Sequence, residues 1–353
     1  MIHNTSEKRR FSVIIPLYNK APYIRKALES VVAQTYRDFE LIIVDDGSID
    51  NSLNVVQEYV RKLENEKHPI SHFQFPMSNI QCPIENIRII SQPNAGVAAA
   101  RNTGVAASCG QFLCFLDADD WWAPTFLEEI DKLIAEYPDA GIYCTNYIYY
   151  KPGKTHVALK LQRGYMNYPE AYLHGEMPVT SITTCMPRRV FDEMGGFPVG
   201  IKLGEDFLLW AKIVVHYPVA FCEKPLAYYN NDVPASLRAT RNLHAPEHHM
   251  LFHLDSLEEE IVNRSFVHSF TPSLVTSWKQ LLDKLRVSGL LEYWLSDEYH
   301  ASAASELAKV DWSRQPRSAK AQYEKPIWLL KAHHRFMQLG SCIKQKLIKL
   351  IKK

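Results

Sequence analysis

The sequence predicts an α/β protein with an open, mostly parallel β-sheet, followed by a mixed α+β half and an α-helical extension. Four apolar runs are dense in Ile, Val, Leu and Phe and lack polar alternation, which is typical of parallel strands buried on both faces. Each run is followed by a stretch of helical character, so strand and helix alternate over the first 136 residues. The runs are 11–16, 39–44, 87–92 and 112–116.

The helices between these strands complete the pattern. Pro22 suits the start of a helix, and the helix after it completes a βαβ unit of about 35 residues. The polar stretch 64–85 has no clear period and is interpreted as a surface insertion. Sheets of this type bind ligands beyond the carboxyl ends of their strands, so the polar residues there are candidate site residues. The predicted helices are 22–34, 51–63, 95–107 and 124–136.

The chain changes character after Ala140, where short strands alternate with short helices. Strand signals disappear from about residue 236. With a prior of about 150 residues per domain, we expect two domains, a sheet domain over 1–235 and a helical extension over 236–353. The predicted strands are 141–150, 181–186 and 219–228, the short helices 190–194 and 206–216, and the later helical segments 246–263, 272–290, 292–309 and 325–352.

Composition excludes several classes of protein. With 46% hydrophobic and 22% charged residues, the chain is an ordinary folded protein and not a disordered or collagen-like one. Seven scattered cysteines without CxxC pairs favour neither a disulfide framework nor a zinc site. The first ten residues do not resemble a signal peptide, and no apolar run reaches about 18 residues. We therefore expect a cytoplasmic protein, with no nucleic-acid partner.

Two acidic residues and a glycine close the second strand, at Asp45, Asp46 and Gly47. A carboxylate at this position can accept a hydrogen bond from a base or a ribose hydroxyl. An Asp-Gly turn with an Asx cap explains the same residues. Both interpretations stay open on this segment alone.

A second acidic cluster, Asp117, Asp119 and Asp120, follows the fourth strand. Three carboxylates this close repel one another unless a cation lies among them, and hard divalent metals prefer oxygen ligands. In an extended segment Asp117 and Asp119 point the same way and can converge on one ligand. The alternative is a set of helix-capping aspartates, although one cap would suffice.

Two further segments carry candidate residues. The alanine-rich helix after the third strand holds Arg101 one turn in, where it could reach an anionic group, whereas packing alone explains Ala98–Ala100. Farther on, Glu205 and Asp206 lie at a predicted helix start, where the helix dipole favours ionised carboxylates. This pair suits a general base and equally a plain dipole-stabilising cap.

Taken in order, these motifs resemble family 2 of the nucleotide-sugar glycosyltransferases, which have the GT-A fold with a Rossmann-like sheet. The likeness covers about residues 10–230. It rests on Val13-Ile-Ile-Pro16-Leu-Tyr18-Asn19, Val44-Asp45-Asp46-Gly47-Ser48, Asn94-Ala-Gly96 with Ala100-Arg101-Asn102, Asp117-Ala-Asp119-Asp120, and Gly204-Glu205-Asp206 with Leu209-Trp210.

The resemblance implies a nucleotide pocket in the first half of the chain. The backbone near Pro16 and the side chain of Tyr18 would line the nucleobase pocket. Asp46 would contact the base, with Asp45 beside it. Arg101 would belong to the same nucleotide pocket.

The resemblance also implies a metal site and a catalytic base. Asp117 and Asp119 match the DxD motif, in which the first aspartate lies near the ribose and the second binds Mn²⁺ or Mg²⁺ on the diphosphate; both are candidate metal ligands. Asp206, or its neighbour Glu205, matches the base that deprotonates the acceptor hydroxyl. The segment 236–238 partly matches a loop that lies near the diphosphate in related enzymes.

These assignments predict an inverting enzyme that moves a sugar from a nucleotide-diphosphate donor, with UDP favoured, to a hydroxyl of a glycan or lipid-linked saccharide in envelope or polysaccharide synthesis. A nucleotidyltransferase is an alternative, but it would normally carry a Gly-rich phosphate loop where this chain has Pro16-Leu-Tyr-Asn-Lys-Ala-Pro22. A non-catalytic sugar-nucleotide binding protein is a second alternative, and the presence of both acidic motifs argues against it.

Basic charge is concentrated in segment 313–353, which carries eleven Lys or Arg and one acidic residue, a net charge of +10 against −9 for residues 1–312. On a helix, Ile343, Leu347, Leu350 and Ile351 would share one face, with lysines opposite. Residues 325–353 could therefore lie on an anionic membrane surface at its inner face, or pack on the protein with the lysines solvated. We favour the membrane surface.

Overall fold

The computed structural model describes residues 9–67, 86–234, 243–264 and 271–332, and in them a ten-stranded sheet forms the centre of the fold. The first seven elements alternate strand and helix as predicted, with bounds within a few residues of the predictions. They are β1 (Phe11–Leu17), α1 (Ile24–Val32), β2 (Phe39–Asp45), α2 (Ser52–Lys67), β3 (Ile87–Ser91), α3 (Val97–Ala107) and β4 (Phe112–Phe115).

These four strands form the parallel part of the sheet, in the order β3-β2-β1-β4. All seven residues of β2 are buried, which explains why its sequence is apolar up to Asp45 except at Glu40. Helix α3 packs on β1 and β2 through its small residues. A Cβ atom on Gly104 would lie 2.5 Å from a methyl carbon of Ile14, so this glycine sets how closely the helix approaches.

The second half extends the same sheet in the order β4-β9-β6-β10-β5, with β7 on β6 and β8 on β10. Strand β9 runs antiparallel to both β4 and β6, so the sheet is mixed here. Short strands and short helices alternate in this half, as predicted. The elements are β5 (Trp121–Trp122), α4 (Phe126–Glu136), β6 (Ile142–Tyr150), β7 (His156–Val157), β8 (Gly164–Met166), α5 (Tyr168–Leu173), β9 (Thr184–Pro187), α6 (Arg188–Met194), α7 (Glu205–His216) and β10 (Val219–Asn230).

The chain divides into two compact units, one up to Ser277 and one from Trp278. The division drawn from the sequence, after residue 235, marks where strands end. The compact unit continues past that point because α8 (Leu254–Arg264) packs on α7, with His216 Nε2 2.6 Å from Glu260 Oε1.

The second unit is helical, as expected. In it Arg286 is fully buried and its Nε lies 3.3 Å from Glu306 Oε2, while the Tyr323 hydroxyl donates to the Val287 carbonyl at 2.5 Å. The helices after α8 are α9 (Pro272–Gly289), which begins in the first unit, α10 (Leu291–Leu295), α11 (His300–Leu307) and α12 (Arg317–Glu324), and residues 327–332 are also helical. Among the described residues, no helix combines the length and apolar character needed to cross a bilayer.

Candidate active site

The candidate residues lie at the carboxyl ends of the parallel strands and at the start of α7. Asp45 ends β2, Asp117 follows β4 after one residue, and Glu205 is the first residue of α7. The sheet order β2-β1-β4 places the segments after these strands next to one another. The structure brings Arg101 into contact with Glu205, which is 104 positions away in the sequence.

Arg101 joins two of the predicted motifs. Its Nη2 donates to Asp117 Oδ1 at 2.9 Å, and its Nη1 donates to Glu205 Oε1 at 2.9 Å. The residue is only 3% exposed, and its guanidinium lies over the Phe197 ring at 5.1 Å. Burial lowers the pKa of Arg101, but Asp117 and Glu205 outweigh that effect and raise it, so the group stays charged.

Lys20 forms an ion pair that the sequence did not reveal. Its Nζ lies 2.6 Å from Asp119 Oδ2, and the two side chains are only 15% and 17% exposed. Burial raises the pKa of Asp119, and the Lys20 ammonium opposes that rise. The ammonium thus occupies the position beside Asp119 where the sequence analysis expected a cation.

The neighbouring Asp120 adds to the crowding of negative charge. Burial, followed by Asp119 and Asp117, raises its pKa well above the ordinary aspartate value. The backbone N–H of Asn230 donates to Asp120 Oδ1 at 2.7 Å and fixes this loop to the end of β10. Asp120 therefore has a structural partner, whereas Asp117 and Asp119, which precede it, have the cationic partners Arg101 and Lys20.

These carboxylates suit a divalent cation by their chemistry. Mg²⁺ and Mn²⁺ prefer hard oxygen ligands such as carboxylates. Asp119 already forms an ion pair with one cation, the Lys20 ammonium. The buried Arg101 Nε has no hydrogen-bond partner among the described residues, so the site has donor capacity left for an anionic group. Within the same part of the chain, no group of three or more His, Cys, Asp or Glu side chains could by itself hold a metal ion.

Both carboxylate oxygens of Asp46 accept hydrogen bonds from the loop that precedes α3. Its Oδ1 accepts from Gln92 Nε2 at 2.7 Å and from the Ala95 N–H at 2.9 Å, and its Oδ2 accepts from the Gly96 N–H at 2.9 Å. Asp45 accepts from the Ser48 N–H at 3.2 Å. The turn interpretation therefore describes the local geometry, while the predicted contact with a nucleobase stays a prediction.

Tyr18 lies at the carboxyl end of β1 and is 45% exposed, so its ring is available at the site; Pro16 is half-buried in the strand before it. Asn19, at a φ of 52°, joins this end to the loop after β2, because its Oδ1 accepts from the Ile49 N–H at 2.9 Å. The Lys20 N–H donates to Ser52 Oγ at 2.7 Å. Asn19 and Lys20 thus lie at the candidate site, although sequence reasoning assigned neither side chain a role; the available signal was their place between Tyr18 and the first helix.

The two candidate bases differ in their surroundings. Burial, with Asp206 next, raises the pKa of Glu205 to about 7, and Arg101 opposes the rise. Burial also raises the pKa of Asp206, whose Oδ1 accepts from the Phe207 N–H at 2.7 Å. Glu205 is buried and held by Arg101, whereas Asp206 is half-buried. The segment 236–238, also predicted to belong to the site, lies outside the described residues.

The fold and the position of the site define a GT-A glycosyltransferase. The structure is similar to that of S. aureus TarS 1–349 solved in complex with UDP-GlcNAc, with a TM-score of 0.62, 18% sequence identity and coverage of 88% of this chain and 83% of the other. The family model described as Glycosyl transferase family 2 matches residues 12–195. The chain belongs to this family.

Curated relatives are similar over the catalytic part. Glycosyltransferase GlyA of Streptococcus pneumoniae serotype 4 (strain ATCC BAA-334 / TIGR4) is 30% identical over 234 residues, which are 62% of this chain and 30% of that protein. Uncharacterized glycosyltransferase alr2836 of Nostoc sp. (strain PCC 7120 / SAG 25.82 / UTEX 2576) is 40% identical over 133 residues, 38% of this chain and 35% of that protein. The chain thus spans about a third of the length of these relatives.

Proposed function

We propose that this glycosyltransferase is a metal-dependent, inverting enzyme that transfers a sugar from a nucleotide-diphosphate donor to an acceptor hydroxyl. The observation that carries the proposal is the pair of hydrogen bonds from Arg101 to Asp117 and to Glu205. Through this one side chain, the end of the DxD strand and the start of α7 are held side by side. The sugar donor and the acceptor hydroxyl can therefore be bound next to each other.

Each of these residues has a separate role in the proposed reaction. Arg101 and Lys20 supply fixed positive charge where a diphosphate would lie. Asp206 takes the proton of the acceptor hydroxyl, because Glu205 is already held by Arg101. The deprotonated oxygen attacks the anomeric carbon from the face opposite the leaving group, so the configuration inverts. When bound by Asp119 and Asp117, Mn²⁺ or Mg²⁺ would offset the charge that develops on the diphosphate.

The proposal extends to the class of donor and of acceptor. UDP is the favoured nucleotide, and a TarS structure with similar fold was solved with UDP-GlcNAc. A glycan or lipid-linked saccharide of an envelope or polysaccharide pathway is the proposed acceptor. We further propose that residues 325–353 bring the enzyme to an anionic membrane surface.

A donor panel tests the proposed function. The full chain is incubated with UDP-, GDP- and dTDP-sugars, with Mn²⁺, with Mg²⁺ or with EDTA, and the released nucleoside diphosphate is measured. Release from one donor that requires a metal supports the proposal. Pyrophosphate formation from a nucleoside triphosphate and a sugar phosphate would instead indicate a nucleotidyltransferase, and binding without release would indicate a non-catalytic sugar-nucleotide binding protein.

A further inference from the structure

Three aromatic side chains form a continuous row across neighbouring strands. Tyr149 on β6 is paired in register with His156 on β7 and with Tyr229 on β10. Its ring centroid lies 5.1 Å from that of His156 and 5.8 Å from that of Tyr229. We call these three residues the aromatic row.

The aromatic row is partly open to solvent. His156 is exposed, Tyr229 is 37% exposed and Tyr149 is half-buried. Beneath them Tyr147 is buried, and its hydroxyl oxygen lies 3.0 Å from that of Tyr149. The row therefore has a fixed base and an accessible upper surface, unlike aromatic residues that fill the core.

Two sets of contacts place the aromatic row beside the proposed active site. At the end of β10, the residue after Tyr229 donates its backbone N–H to Asp120 in the DxD segment. On the other side, Tyr172 of α5 packs edge-to-face on Phe207 at 5.6 Å, next to the proposed base. Burial, then Asp206, then Tyr149 raise the pKa of Tyr172 to about 12, so its hydroxyl lies within electrostatic reach of both.

This surface has the chemistry of a site for a sugar ring. One face of a pyranose carries mainly C–H groups and packs flat on an aromatic ring, while its edge carries hydroxyls. Tyrosine and histidine offer both an apolar ring and a polar group for hydrogen bonds. An open-chain polyol has the same hydroxyls but no flat C–H face, and a lipid chain has no hydroxyls to satisfy.

We propose that the aromatic row is an acceptor subsite that binds a pyranose ring of a saccharide acceptor and presents one of its hydroxyls to Asp206. The proposal rests on the proposed function and adds the chemical class of the acceptor. Tyr229 and His156 contribute the accessible surface. Tyr149 lies between them, and its contact with Tyr147 fixes the position of its ring.

The test measures binding of simple sugars to the full chain. Saturation-transfer NMR is recorded with methyl β-D-glucopyranoside, methyl N-acetyl-β-D-glucosaminide and methyl α-D-mannopyranoside at millimolar concentration, with sorbitol as the open-chain comparison. The variants are Tyr229→Ala and His156→Ala. Tyr165→Ala is the matched control, because Tyr165 is 53% exposed and pairs with Ala220 near the opposite end of β10.

At least one pyranoside should bind to the wild-type chain and to Tyr165→Ala, with saturation centred on its C–H face, and sorbitol should not. Tyr229→Ala and His156→Ala should each weaken binding about fivefold or more. Circular dichroism checks that each variant is folded, and His156→Ala keeps the test valid if Tyr229→Ala is not. Equal binding to wild type and to the folded variants, or binding of no pyranoside, would overturn the proposal.

Hydrolysis of the donor in the absence of acceptor separates this proposal from the proposed function. It is measured on the wild-type chain and on Tyr165→Ala, which should match the wild type because Tyr165 lies near the opposite end of β10. A chain that turns over a sugar nucleotide but binds no pyranoside retains the proposed function and loses the subsite. A chain that turns over no sugar nucleotide loses the proposed function itself.

Discussion

Asp119 lies in a cluster of carboxylates whose charge is only partly compensated in the protein alone. We predict that Asp119→Ala abolishes metal-dependent turnover and leaves the fold intact, because the residue follows β4 and is outside its apolar run. Loss of a metal-binding carboxylate should remove several kcal/mol of transition-state stabilisation. Nucleotide release during a Mn²⁺ titration and thermal unfolding measure the two effects.

Asp139→Ala, at an exposed position, is the control for Asp119→Ala and should behave as wild type. Full activity in EDTA, or in Asp119→Ala, would refute the metal assignment.

If a metal ion binds at Asp119 as proposed, Lys20 competes with it, since its ammonium already lies 2.6 Å from the carboxylate. We predict that Lys20→Met tightens binding of Mn²⁺ about tenfold when no nucleotide is present, because it removes the competing charge. Electron paramagnetic resonance of free Mn²⁺ measures this binding without turnover. Lys202→Met, on an exposed residue, is the control and should leave it unchanged. Weaker Mn²⁺ binding by Lys20→Met would show that the lysine assists the metal.

Asp206 and Glu205 can be distinguished by replacing each with its amide. Asp206→Asn should preserve donor binding and lower turnover by about 10²–10⁴-fold, because an amide cannot accept the hydroxyl proton. Glu205→Gln should have the smaller effect on the chemical step, since that side chain orients Arg101. A large loss in Glu205→Gln with little change in Asp206→Asn would reverse the assignment.

The pH profile gives a second measure of the base. Burial raises the pKa of Asp206, so the free enzyme should lose activity as the pH falls through a value above that of an ordinary aspartate. Turnover is retained above that pKa, where the carboxylate is ionised. The acid limb of kcat/KM should disappear in Asp206→Asn.

At the scale of elements, Glu40 lies near the amino end of β2, at the opposite end of the strand from the candidate site. There it links β1, β2 and β3 with the turn before β4. Its Oε1 accepts from Ser12 Oγ at 2.6 Å and from the Cys109 N–H at 2.5 Å, and Arg88 of β3 forms an ion pair with it. Burial raises the pKa of Glu40, but these hydrogen bonds and Arg88 together lower it. The strand can bury a charged residue at this position because Ser12, Cys109 and Arg88 all donate to its carboxylate.

We predict that Glu40→Gln lowers the free energy of unfolding by about 1–3 kcal/mol at pH 7. A lowered carboxyl pKa stabilises the fold above the ordinary glutamate value of 4.5, and the contribution is lost as the pH falls through the folded value. Urea unfolding should show that the free energy of unfolding differs less between Glu40→Gln and wild type under acidic conditions than at pH 7. Glu58→Gln on the exposed face of α2 is the control. A difference that stays constant with pH would contradict the prediction.

Secondary structure was predictable where hydrophobicity alone determines it. The largely buried runs of β1, β2 and β4 have no polar alternation, so their position and parallel arrangement could be predicted. Strand β3 was found by its isoleucines, but it lies at the end of the sheet and none of its residues is fully buried, so the expectation of burial on both faces was wrong there. The two-residue strands β5 and β7 and the three-residue β8 are too short to carry a period, and the structure adds them to the sheet. The predicted strand 181–186 begins as a 3₁₀-helix, Ser181–Thr183, before β9.

For the candidate site, the sequence indicates the residue types but not which side chains pair with one another. Carboxylates at strand ends signal a polar ligand, so the acidic motifs could be found. The contact of Lys20 with Asp119 joins residues 99 positions apart, and no local pattern encodes it. The same holds for Gln92, which binds Asp46 across the end of the sheet.

At the scale of the whole molecule, charge is divided along the chain. Residues 1–312 carry −9 and residues 313–353 carry +10. In the described part of that basic segment, Arg314, Arg317, Lys320 and Lys325 are exposed. The predicted amphipathic face from Ile343 onward lies outside the described residues and stays a prediction.

Apolar groups accompany this charge, since Trp328 is 71% exposed and Leu329 is 43% exposed in the helical residues 327–332. A tryptophan and a leucine beside lysines suit the interface of a bilayer, where the apolar groups enter and the charges meet lipid headgroups. Each basic group near an anionic leaflet can contribute about 1 kcal/mol. The other hypothesis, a helix packed on protein, leaves these two side chains in water.

We predict that the full chain co-sediments with phosphatidylglycerol vesicles at low salt and is released at high salt, because counter-ions screen the attraction. Phosphatidylcholine vesicles should bind far less. The double variant Trp328→Ala/Leu329→Ala should weaken binding at low salt, whereas Tyr165→Ala, which removes an exposed aromatic residue elsewhere, should not. A chain ending at residue 332 separates the contribution of the described helix from that of the lysines beyond it. If the full chain stays in the supernatant with anionic vesicles at low salt, the segment packs on protein and the membrane hypothesis is refuted.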